Sequence, residues 1–513
     1  MSMQSFIMSR PKLAKWFMST RSANFWKKQG EKRALRSFKL ASRRVKAYQA
    51  FLKEHKIKPD TIQTIEDFKK LPIIDKKKYI QKYPIMDLAL DGSLYDKYTI
   101  EKSSGQSGKS SYWPRTAEED AMFPQYIEFA FVQFYGIDKK ETLVILTLAL
   151  GTWTSGEKMG EALRKAAQNK NYKMTVMTPG ANLEEVVDIV NDLSDKYEQT
   201  IIVGYPPFIK SAIDEGARKG IDWKKLNVKL GLGGEGYSEV WREYMAKKIG
   251  LNQKDLLGIS GGYGAADVGM TVGREYPFTV LLRKLAHKNK KLAKDLFGED
   301  EIMPSLLQYS SSTFYIEAIN GELVFTSQPG IPIVRYNIHD RGGVITFNDA
   351  VAIAKKHGYD VIKMLKEDYG YEKGDIWTMP LFYVFGRSDG TISIDGANIY
   401  PENVEMVLYN RTETMMVHAY KLGLKHDDDM NARPIIYVEL NKDIPQLSES
   451  ETIKTENILH DVFLPKLLEQ NKDFKKSYND NPKNADPIIN IYQYAQGPFE
   501  TDDGKIKRKY VVK

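Results

Sequence analysis

Two apolar runs on either side of a helical stretch decide the fold: TLVILTLAL at Thr142–Leu150, EEVVDIVNDLSDKY at Glu184–Tyr197 and QTIIVGYPP at Gln199–Pro207. The outer runs are short and rich in aliphatic residues, which is typical of buried strands. The middle stretch repeats its apolar residues at helical spacing. A strand, a helix and a strand in this order indicate an α/β fold with a parallel sheet.

The same pattern continues toward the C-terminus. The run VKLGLGG at Val228–Gly234 leads into EVWREYMAKKIG, a helical stretch that closes at Gly250, where a glycine favours a helix end. Beyond Phe385 short β-like runs alternate with helical stretches, which predicts a smaller α+β domain at the C-terminus. The segments 274–308 and 347–380 carry no motif, and we interpret both as insertions.

Composition excludes several protein classes. The 513 residues include no cysteine, so disulfides, thiolate nucleophiles and iron–sulfur clusters are excluded, and any metal must be held by oxygen or imidazole. Hydrophobic residues make up 42% and charged residues 28%, as in globular proteins and unlike disordered chains. No run approaches the ~20 apolar residues of a membrane span, and the N-terminus lacks the apolar core of a signal peptide. We therefore expect a cytoplasmic protein.

Basic charge is concentrated at the N-terminus. The first 50 residues contain thirteen Lys or Arg against one acidic residue, Glu31, in a chain whose net charge is +8. The simplest interpretation is a solvated helix face docked on the protein's own core. An anionic surface, either a membrane or an acidic carrier protein, is the alternative partner. We expect no nucleic-acid partner.

A glycine- and serine-rich stretch, SSGQSGKS, occupies positions 103–110. Its small residues allow backbone N–H groups to approach a phosphate, and Lys109 adds positive charge. The phosphate loop of nucleotide triphosphatases requires a glycine five residues before Gly108, where this chain has Ser103. This departure argues against that class of enzyme.

Further motifs follow in order along the chain: GGEGYS at Gly233, SGGYGAAD at Ser260, RYNIHD ending at Asp340, FGRSDGTISIDGANIYPENVE at Phe385 and DGKIKRKY at Asp503. Together they resemble the adenylate-forming superfamily of acyl-CoA synthetases, and within it the phenylacetate-CoA ligase-like branch. The resemblance covers most of residues 40–513. It implies an AMP-binding adenylation domain at 41–387 and a small mobile domain at 388–513, and the charge distribution adds a basic arm at 1–40.

The resemblance implies an ATP site. Adenine would lie beside Gly234, Glu235 and Tyr263, and Asp340 would accept hydrogen bonds from the ribose hydroxyls. The loop would wrap the β- and γ-phosphates. The complete set that the resemblance assigns to ATP is Ser103, Ser104, Gly105, Gln106, Ser107, Gly108, Lys109, Gly234, Glu235, Tyr263, Gly264, Asp340 and Arg387.

The resemblance also assigns roles in the C-terminal segment. Arg387 and Asp389 correspond to the residues around which the small domain pivots. Gly396 and Asn398 would lie on the loop that enters the site on the CoA side. Lys505 corresponds to the catalytic lysine that reaches the carboxylate and the α-phosphate during adenylation.

The chain departs from the family pattern at several positions. The family's YGxTE is YGAAD here, so Ala266 replaces a threonine and Asp267 replaces the glutamate associated with magnesium. Aspartate still offers hard oxygen ligands, so we expect Asp267 to serve as the metal residue. His339 stands where glycine is usual, and Ser110 stands where proline is usual.

These features together predict an ATP- and Mg²⁺-dependent enzyme that converts a small carboxylic acid to an acyl-adenylate, releases pyrophosphate and transfers the acyl group to CoA. Trp153 and Tyr205 are candidates to line the acyl pocket. Two alternatives stay open: transfer to another acceptor, such as a carrier protein, an amine or a sugar, and a nucleotide-binding protein without turnover.

Overall fold

The computed structural model describes residues 3–95, 97–103, 111–150, 154–169, 171–299, 303–387, 391–408 and 416–500. The α-helices are α1 (Met3–Met8), α2 (Pro11–Thr20), α3 (Ala23–Arg44), α4 (Lys46–Glu54), α5 (Ile65–Lys69), α6 (Ile85–Leu88), α7 (Ala117–Tyr135), α8 (Thr154–Ala167), α9 (Leu183–Leu193), α10 (Pro206–Arg218), α11 (Glu239–Lys248), α12 (Pro277–Lys288), α13 (Lys290–Phe297), α14 (Phe347–Lys356), α15 (Val361–Glu367), α16 (Pro401–Leu408), α17 (Glu449–Gln470), α18 (Lys472–Asp480) and α19 (Pro482–Ala485).

The strands are β1 (Ile74–Asp75), β2 (Lys97–Ser103), β3 (Ser111–Thr116), β4 (Thr142–Leu146), β5 (Met174–Met177), β6 (Gln199–Gly204), β7 (Val228–Leu232), β8 (Ile259–Ala265), β9 (Gly269–Arg274), β10 (Ser305–Gln308), β11 (Tyr315–Ile319), β12 (Glu322–Ser327), β13 (Ile333–Ile345), β14 (Leu381–Arg387), β15 (Ile392–Ile394), β16 (Ala397–Ile399), β17 (Val417–His426), β18 (Ala432–Leu440) and β19 (Ile488–Tyr492). None of the helices in the described ranges combines the length and hydropathy that a membrane crossing requires.

The centre of the molecule is a parallel sheet in the order β5-β4-β6-β7-β8. Every residue of β4, β6 and β7 is buried, which explains why their sequences are mainly apolar and do not alternate between apolar and polar residues. The helices α8 to α11 connect successive strands. The predicted α/β fold is therefore confirmed, including the strands β4 and β6 and the helix α9 between them in the sequence.

The sheet continues in a mainly antiparallel half, in the order β8-β9-β10-β14-β13-β12-β11, with β1 added in parallel to β13. The chain order reverses beside β4, because β5 lies on one side of it and β6 on the other. Open α/β sheets bind ligands at the carboxyl ends of strands where such a reversal occurs. The topology thus points to the end of the sheet that carries Gly204 and Leu232.

The basic arm packs on this sheet. The helix α3 begins at Ser22, whose side chain accepts a hydrogen bond from the backbone of Phe25, and its residues Trp26 and Phe38 are 1% exposed. Arg33 donates to the backbone of Ser312 at 2.7 Å. The apolar face of α3 therefore docks on the protein's own core, and the helix runs through position 40 without a break.

The two segments interpreted as insertions pack against each other. The helices α12 and α13 of the first and α14 and α15 of the second bury their apolar residues in one cluster, which includes Phe278, Leu292 and Ala350. Arg283 on α12 is buried and contacts Tyr237 and Glu275, which line the central cleft described below. These segments are therefore part of the framework of the site.

The C-terminal unit has its own apolar core. The strands β17, β18 and β19 form a three-stranded sheet, with β18 and β19 parallel. The helix α17 covers it with Leu459, Phe463 and Leu467. The strands β15 and β16 of this unit form a short hairpin. The unit contains both strands and helices, as predicted for a small α+β domain.

Candidate active site

A cleft of about 1390 Å³ lies at the carboxyl ends of the central strands. Tyr205, Glu235 and Tyr263 line it from the strand ends of the N-terminal half, and Gly396 and Asn398 line it from the C-terminal hairpin. Tyr205 stands at the junction of β6 and α10, where Pro206 begins the helix with a suitable backbone angle. Residues predicted from distant motifs therefore meet in one cavity.

One end of the cleft brings together Tyr263, Asp340 and Arg387. The Tyr263 hydroxyl donates to Oδ2 of Asp340 at 2.5 Å, and Nη1 of Arg387 lies 3.8 Å from Oδ1 of the same carboxylate. Asp340 and Arg387 are direct partners in the register of β13 and β14. Burial, and then the Asp340 charge, raise the pKa of Tyr263 well above its ordinary value. The phenol therefore stays protonated and holds Asp340 in place.

Asp267 lies beside this group and is 7% exposed. Its Oδ2 accepts a hydrogen bond from the Tyr336 hydroxyl at 2.6 Å and lies 3.9 Å from Nζ of Lys76. Among the described residues, no group of three or more metal-binding side chains occurs. Mg²⁺ commonly takes one or two carboxylates and completes its shell with phosphate oxygens and water, so a single aspartate fits such an ion.

The strands β2 and β3 form an antiparallel hairpin, and the glycine-rich stretch lies between them in the sequence. Ser103 and Ser111 are the last described pair of this hairpin. A buried ion network anchors the hairpin: Arg115 donates to Glu101 at 2.8 Å, and Lys158 of α8 lies 2.6 Å from the other oxygen of that carboxylate. Arg115 also donates to the backbone oxygen of Ala266. This network joins the base of the loop to the strand that carries Tyr263.

His339 has a left-handed backbone, with φ of 64°. Only glycine adopts this conformation without cost, which explains the glycine that the family pattern has at this position. The imidazole lies between two carboxylates, 3.9 Å from Asp75 and 3.7 Å from Glu322. The departure from glycine is thus accommodated by an acidic environment next to Asp340.

The other end of the cleft is a contact between the two halves of the chain. Gly234 and Gly396 both have a φ of 81°. A Cβ on Gly234 would lie 2.5 Å from the Tyr205 ring, and a Cβ on Gly396 would lie 2.4 Å from it. The backbone N–H of Gly396 donates to Oε1 of Glu235 at 2.7 Å. Tyr205 is 4% exposed, so its ring is enclosed where the halves meet.

Two acidic side chains are buried at this contact. Burial, and then the neighbouring charge of Asp395, raise the pKa of Glu235, while burial raises the pKa of Asp395. Asn481 donates to Asp395 at 2.9 Å. Asn398 is fixed within the hairpin, where Asn471 donates to its backbone oxygen at 2.7 Å.

A third group of buried charges supports the GGEGYS segment. Glu275 accepts hydrogen bonds from Gly261 at 2.8 Å and from Tyr237 at 2.5 Å, and its other oxygen pairs with Arg242 at 2.6 Å. Arg283 of α12 donates to the backbone of Tyr237. No motif in the sequence identified these residues, because the network forms only when α11, α12 and the end of β9 pack together.

The predicted site residues thus divide into those that line the cleft, Ser103 at the end of β2, and those outside the described residues. Tyr205, Gly234, Glu235, Tyr263, Asp267, Asp340, Arg387, Gly396 and Asn398 line the cleft, as does Gly264 on β8. Outside the described residues lie Ser104, Gly105, Gln106, Ser107, Gly108, Lys109, Trp153, Asp389 and Lys505. Their assigned roles stay predictions. Sequence reasoning missed Lys76, Arg115 and Tyr336, although the RYNIHD motif contains the last of these.

Comparison with known proteins gives sequence relatives and a matching fold. The chain is 22% identical over 442 residues to a phenylacetate-coenzyme A ligase of Pseudomonas putida, covering 85% of this chain and 86% of the relative. It is 21% identical over 413 residues to a phenylacetate-coenzyme A ligase of Aromatoleum evansii, covering 79% and 80%. No protein-family profile matches the sequence.

Among solved structures, a 2-hydroxyisobutyryl-CoA ligase in complex with 2-HIB-AMP and CoA superimposes with a TM-score of 0.62. The superposition covers 96% of this chain and 91% of that protein at 13% identity. This similarity shows the fold.

Proposed function

Because the chain is a member of the adenylate-forming superfamily, related to the phenylacetate-CoA ligases, we propose that it is an AMP-forming ligase that joins a carboxylic acid to CoA. The observation that carries the proposal is the shared cleft. Tyr263, Asp267 and Asp340 line one end, while Gly396 of the C-terminal hairpin lines the other. One cavity therefore offers a place for a nucleotide and an entrance for a second substrate.

In the first step a carboxylate oxygen of the acid attacks the α-phosphorus of ATP, and the bond to the β-phosphate breaks. The products are the acyl-adenylate and pyrophosphate. Asp340, held by Tyr263, binds the ribose hydroxyls, and Asp267 would hold Mg²⁺. The metal, when bound, supplies positive charge for the phosphate oxygens. Lys505 is the proposed cation at the carboxylate and the α-phosphate, so the acceleration is mainly electrostatic.

In the second step the sulfur of CoA attacks the acyl carbonyl carbon. The thioester forms, AMP leaves and the thiol proton is released. The Gly396 hairpin packs on Tyr205, which the proposal places in the acyl pocket. The absence of a side chain at Gly396 allows the hairpin to approach the Tyr205 ring, so a pantetheine arm that follows the hairpin would reach the reacting carbonyl. This contact supports CoA as the acceptor, since the hairpin reaches the site from the C-terminal unit.

The N-terminal arm has features suited to an anionic membrane surface, and we include this contact in the proposal. Phe6 and Trp16 are 47% and 56% exposed on α1 and α2. The Arg10 guanidinium lies 3.9 Å from the centre of the Phe6 ring, and Arg21 lies 5.7 Å from that of Trp16. Exposed aromatic rings beside cations favour the boundary between lipid headgroups and acyl chains.

The activity is tested by pyrophosphate release from ATP and Mg²⁺ with aryl, fatty and hydroxy acids, with and without CoA. We expect release that depends on the acid, turnover that depends on CoA, and loss of both in Lys505→Ala. Acid-dependent release without a CoA requirement would indicate a carrier protein, an amine or a sugar as acceptor. ATP binding without release across the panel would contradict the proposal and identify a nucleotide-binding protein.

A further inference from the structure

Arg274, the last residue of β9, places a positive charge on the wall of the cleft. It is the direct cross-strand partner of Gly262, which immediately precedes Tyr263. A Cβ on Gly262 would lie 3.5 Å from Cγ of Arg274. Because Gly262 has no side chain, the methylene groups of Arg274 lie against β8, the strand that carries Tyr263.

The guanidinium of Arg274 has no acidic partner in the described part of the chain. Its neighbour Glu275 is engaged by Arg242, Arg283 and the backbone of Gly261. Those two arginines are balanced by Glu239 and Glu275, so the buried network leaves no carboxylate for Arg274. An arginine cannot lose its proton in a protein, so its charge persists.

The surroundings of Arg274 are largely apolar or aromatic. Its guanidinium carbon lies 5.0 Å from the centre of the Phe134 ring. Its Nε is enclosed without a hydrogen-bond partner, and its charge acts on two neutral phenols, those of Tyr135 and Tyr276. Gln308, directly across on β10, donates its amide to the backbone oxygens of Trp377 and Met379.

Ile127, Leu148 and Met270 also line the cleft and provide apolar walls. The planar guanidinium presents five N–H donors, and two of them can donate to the two oxygens of one carboxylate. Such bidentate hydrogen bonds are strong where water is excluded. We propose that Arg274 determines specificity by binding a second carboxylate at the far end of the acyl substrate, so that the preferred substrates are dicarboxylic acids. This inference rests on the proposed function, whose acyl pocket it deepens.

The test measures binding and turnover separately. Dicarboxylic acids of increasing length are titrated into the full-length protein by calorimetry in the presence of a nonhydrolysable ATP analogue, and each is compared with the monocarboxylic acid of equal length. Pyrophosphate release is measured with the same pairs. We expect the wild type to bind a dicarboxylic acid about 10- to 100-fold more tightly than its partner, as expected for a charged hydrogen-bonded pair.

The variant Arg274→Met keeps the apolar stem and removes the charge. We expect it to lose the preference for dicarboxylic acids, while Arg274→Lys, which keeps the charge without the fork, retains a smaller preference. Tyr135→Phe is the matched control and retains the full preference. Binding of the ATP analogue confirms that each variant is folded. If Arg274→Met does not fold, the inference is tested by whether Arg274→Lys prefers dicarboxylic acids less strongly than the wild type does.

The outcomes separate this inference from the proposed function. A wild type without preference for dicarboxylic acids, or an unchanged preference in the folded Arg274 variant, overturns the inference. Pyrophosphate release with monocarboxylic acids alone supports the ligase activity and overturns the role of Arg274. Binding of dicarboxylic acids that depends on Arg274 without any pyrophosphate release supports the inference and contradicts the ligase activity.

Discussion

The two ends of the cleft are constructed differently. At the nucleotide end, Asp340 and Arg387 are fixed by the register of neighbouring strands, and Tyr263 lies on the same sheet. At the CoA end, Gly396 and Glu235 meet across the two halves of the chain through one backbone hydrogen bond and the enclosed ring of Tyr205. The first end depends on the stability of the main sheet. The second depends on how the halves are arranged.

The two half-reactions of the proposed mechanism should therefore respond to different perturbations. Under the proposed mechanism, a change at Asp340 would alter a preformed site that every turnover uses. A change at Gly396 would alter a contact between the two halves of the chain that the proposed second step uses. Mutations should therefore separate adenylation from thioester formation.

The largest effect is expected for Asp340→Ala, which removes the acceptor of two ribose hydrogen bonds and the partner of Tyr263. We expect kcat/KM for ATP in acid-dependent pyrophosphate release to fall about 100-fold, since each bond to a charged acceptor contributes about 1.5–3 kcal/mol. Asp349→Ala, which removes an exposed acidic side chain near the start of α14, is the matched control. Equal activity of Asp340→Ala and the wild type would show that ribose binds elsewhere.

The next effect is expected for Gly396→Ala. The new methyl group would lie 2.4 Å from the Tyr205 ring, on a backbone whose φ of 81° disfavours alanine. We expect the rate of thioester formation to fall about 30-fold, which corresponds to about 2 kcal/mol of strain and displacement. Gly298→Ala, with a φ of 80° and open space around it, controls for the backbone effect alone. A similar loss in both variants would contradict a steric role of Tyr205.

A smaller effect is expected from pH. The raised pKa of Glu235 means that its carboxyl, when it is buried in the contact with the Gly396 hairpin, binds a proton more strongly than an exposed carboxyl does. The contact is therefore most favoured below the ordinary pKa of glutamate, and it weakens as the pH rises through the raised pKa of Glu235. The charge of Asp395 opposes the ionisation of Glu235, and the charge of Asp480 opposes the ionisation of Asp395.

We expect the ratio of thioester formation to adenylation to fall about tenfold from pH 5 to pH 9 in the wild type, since one pKa unit corresponds to about 1.4 kcal/mol. Glu235→Gln keeps an acceptor for Gly396 without the titration, so its ratio should change less with pH. The ratio is measured from single-turnover rates of each step. An identical pH profile in the variant would exclude Glu235 as the group that titrates.

The smallest effect is expected at the N-terminal arm, which neither end of the cleft uses. Cosedimentation with phosphatidylserine vesicles should detect binding, and Trp16→Ala should weaken it about threefold through the loss of a partly inserted ring. Tyr95→Ala, at an aromatic residue that is 97% exposed outside the arm, is the control. No binding by the wild type would contradict the membrane contact.

Much of the sheet could be predicted from sequence because its signals are local. The sequences of β4, β6 and β7 are short and mainly apolar, as is typical of strands that are buried on both faces. The motif resemblance also brought Asp340 and Tyr263 to one site. Their ion pairs and hydrogen bonds follow from strand register, which the motifs do not encode.

Other contacts could not be predicted because they join residues far apart in the chain. Tyr336 binds Asp267 across 69 positions, and Gly396 binds Glu235 across 161. The segment 274–308 carried no motif, yet it supplies Arg283, whose importance becomes visible only when the cleft is assembled. Local patterns determine strands and helices, whereas the support of a site depends on tertiary packing.

In the proposed function, the end of the cleft with Asp340 and Tyr263 performs adenylation, and the contact of the Gly396 hairpin performs thioester formation. The most direct test measures both half-reactions in Asp340→Ala and Gly396→Ala, using acid-dependent ATP–pyrophosphate exchange for the first and single-turnover transfer from the acyl-adenylate to CoA for the second. We predict that Gly396→Ala retains exchange and loses transfer, while Asp340→Ala loses exchange. Parallel losses of both activities in Gly396→Ala, or wild-type exchange that does not depend on any acid, would contradict the account.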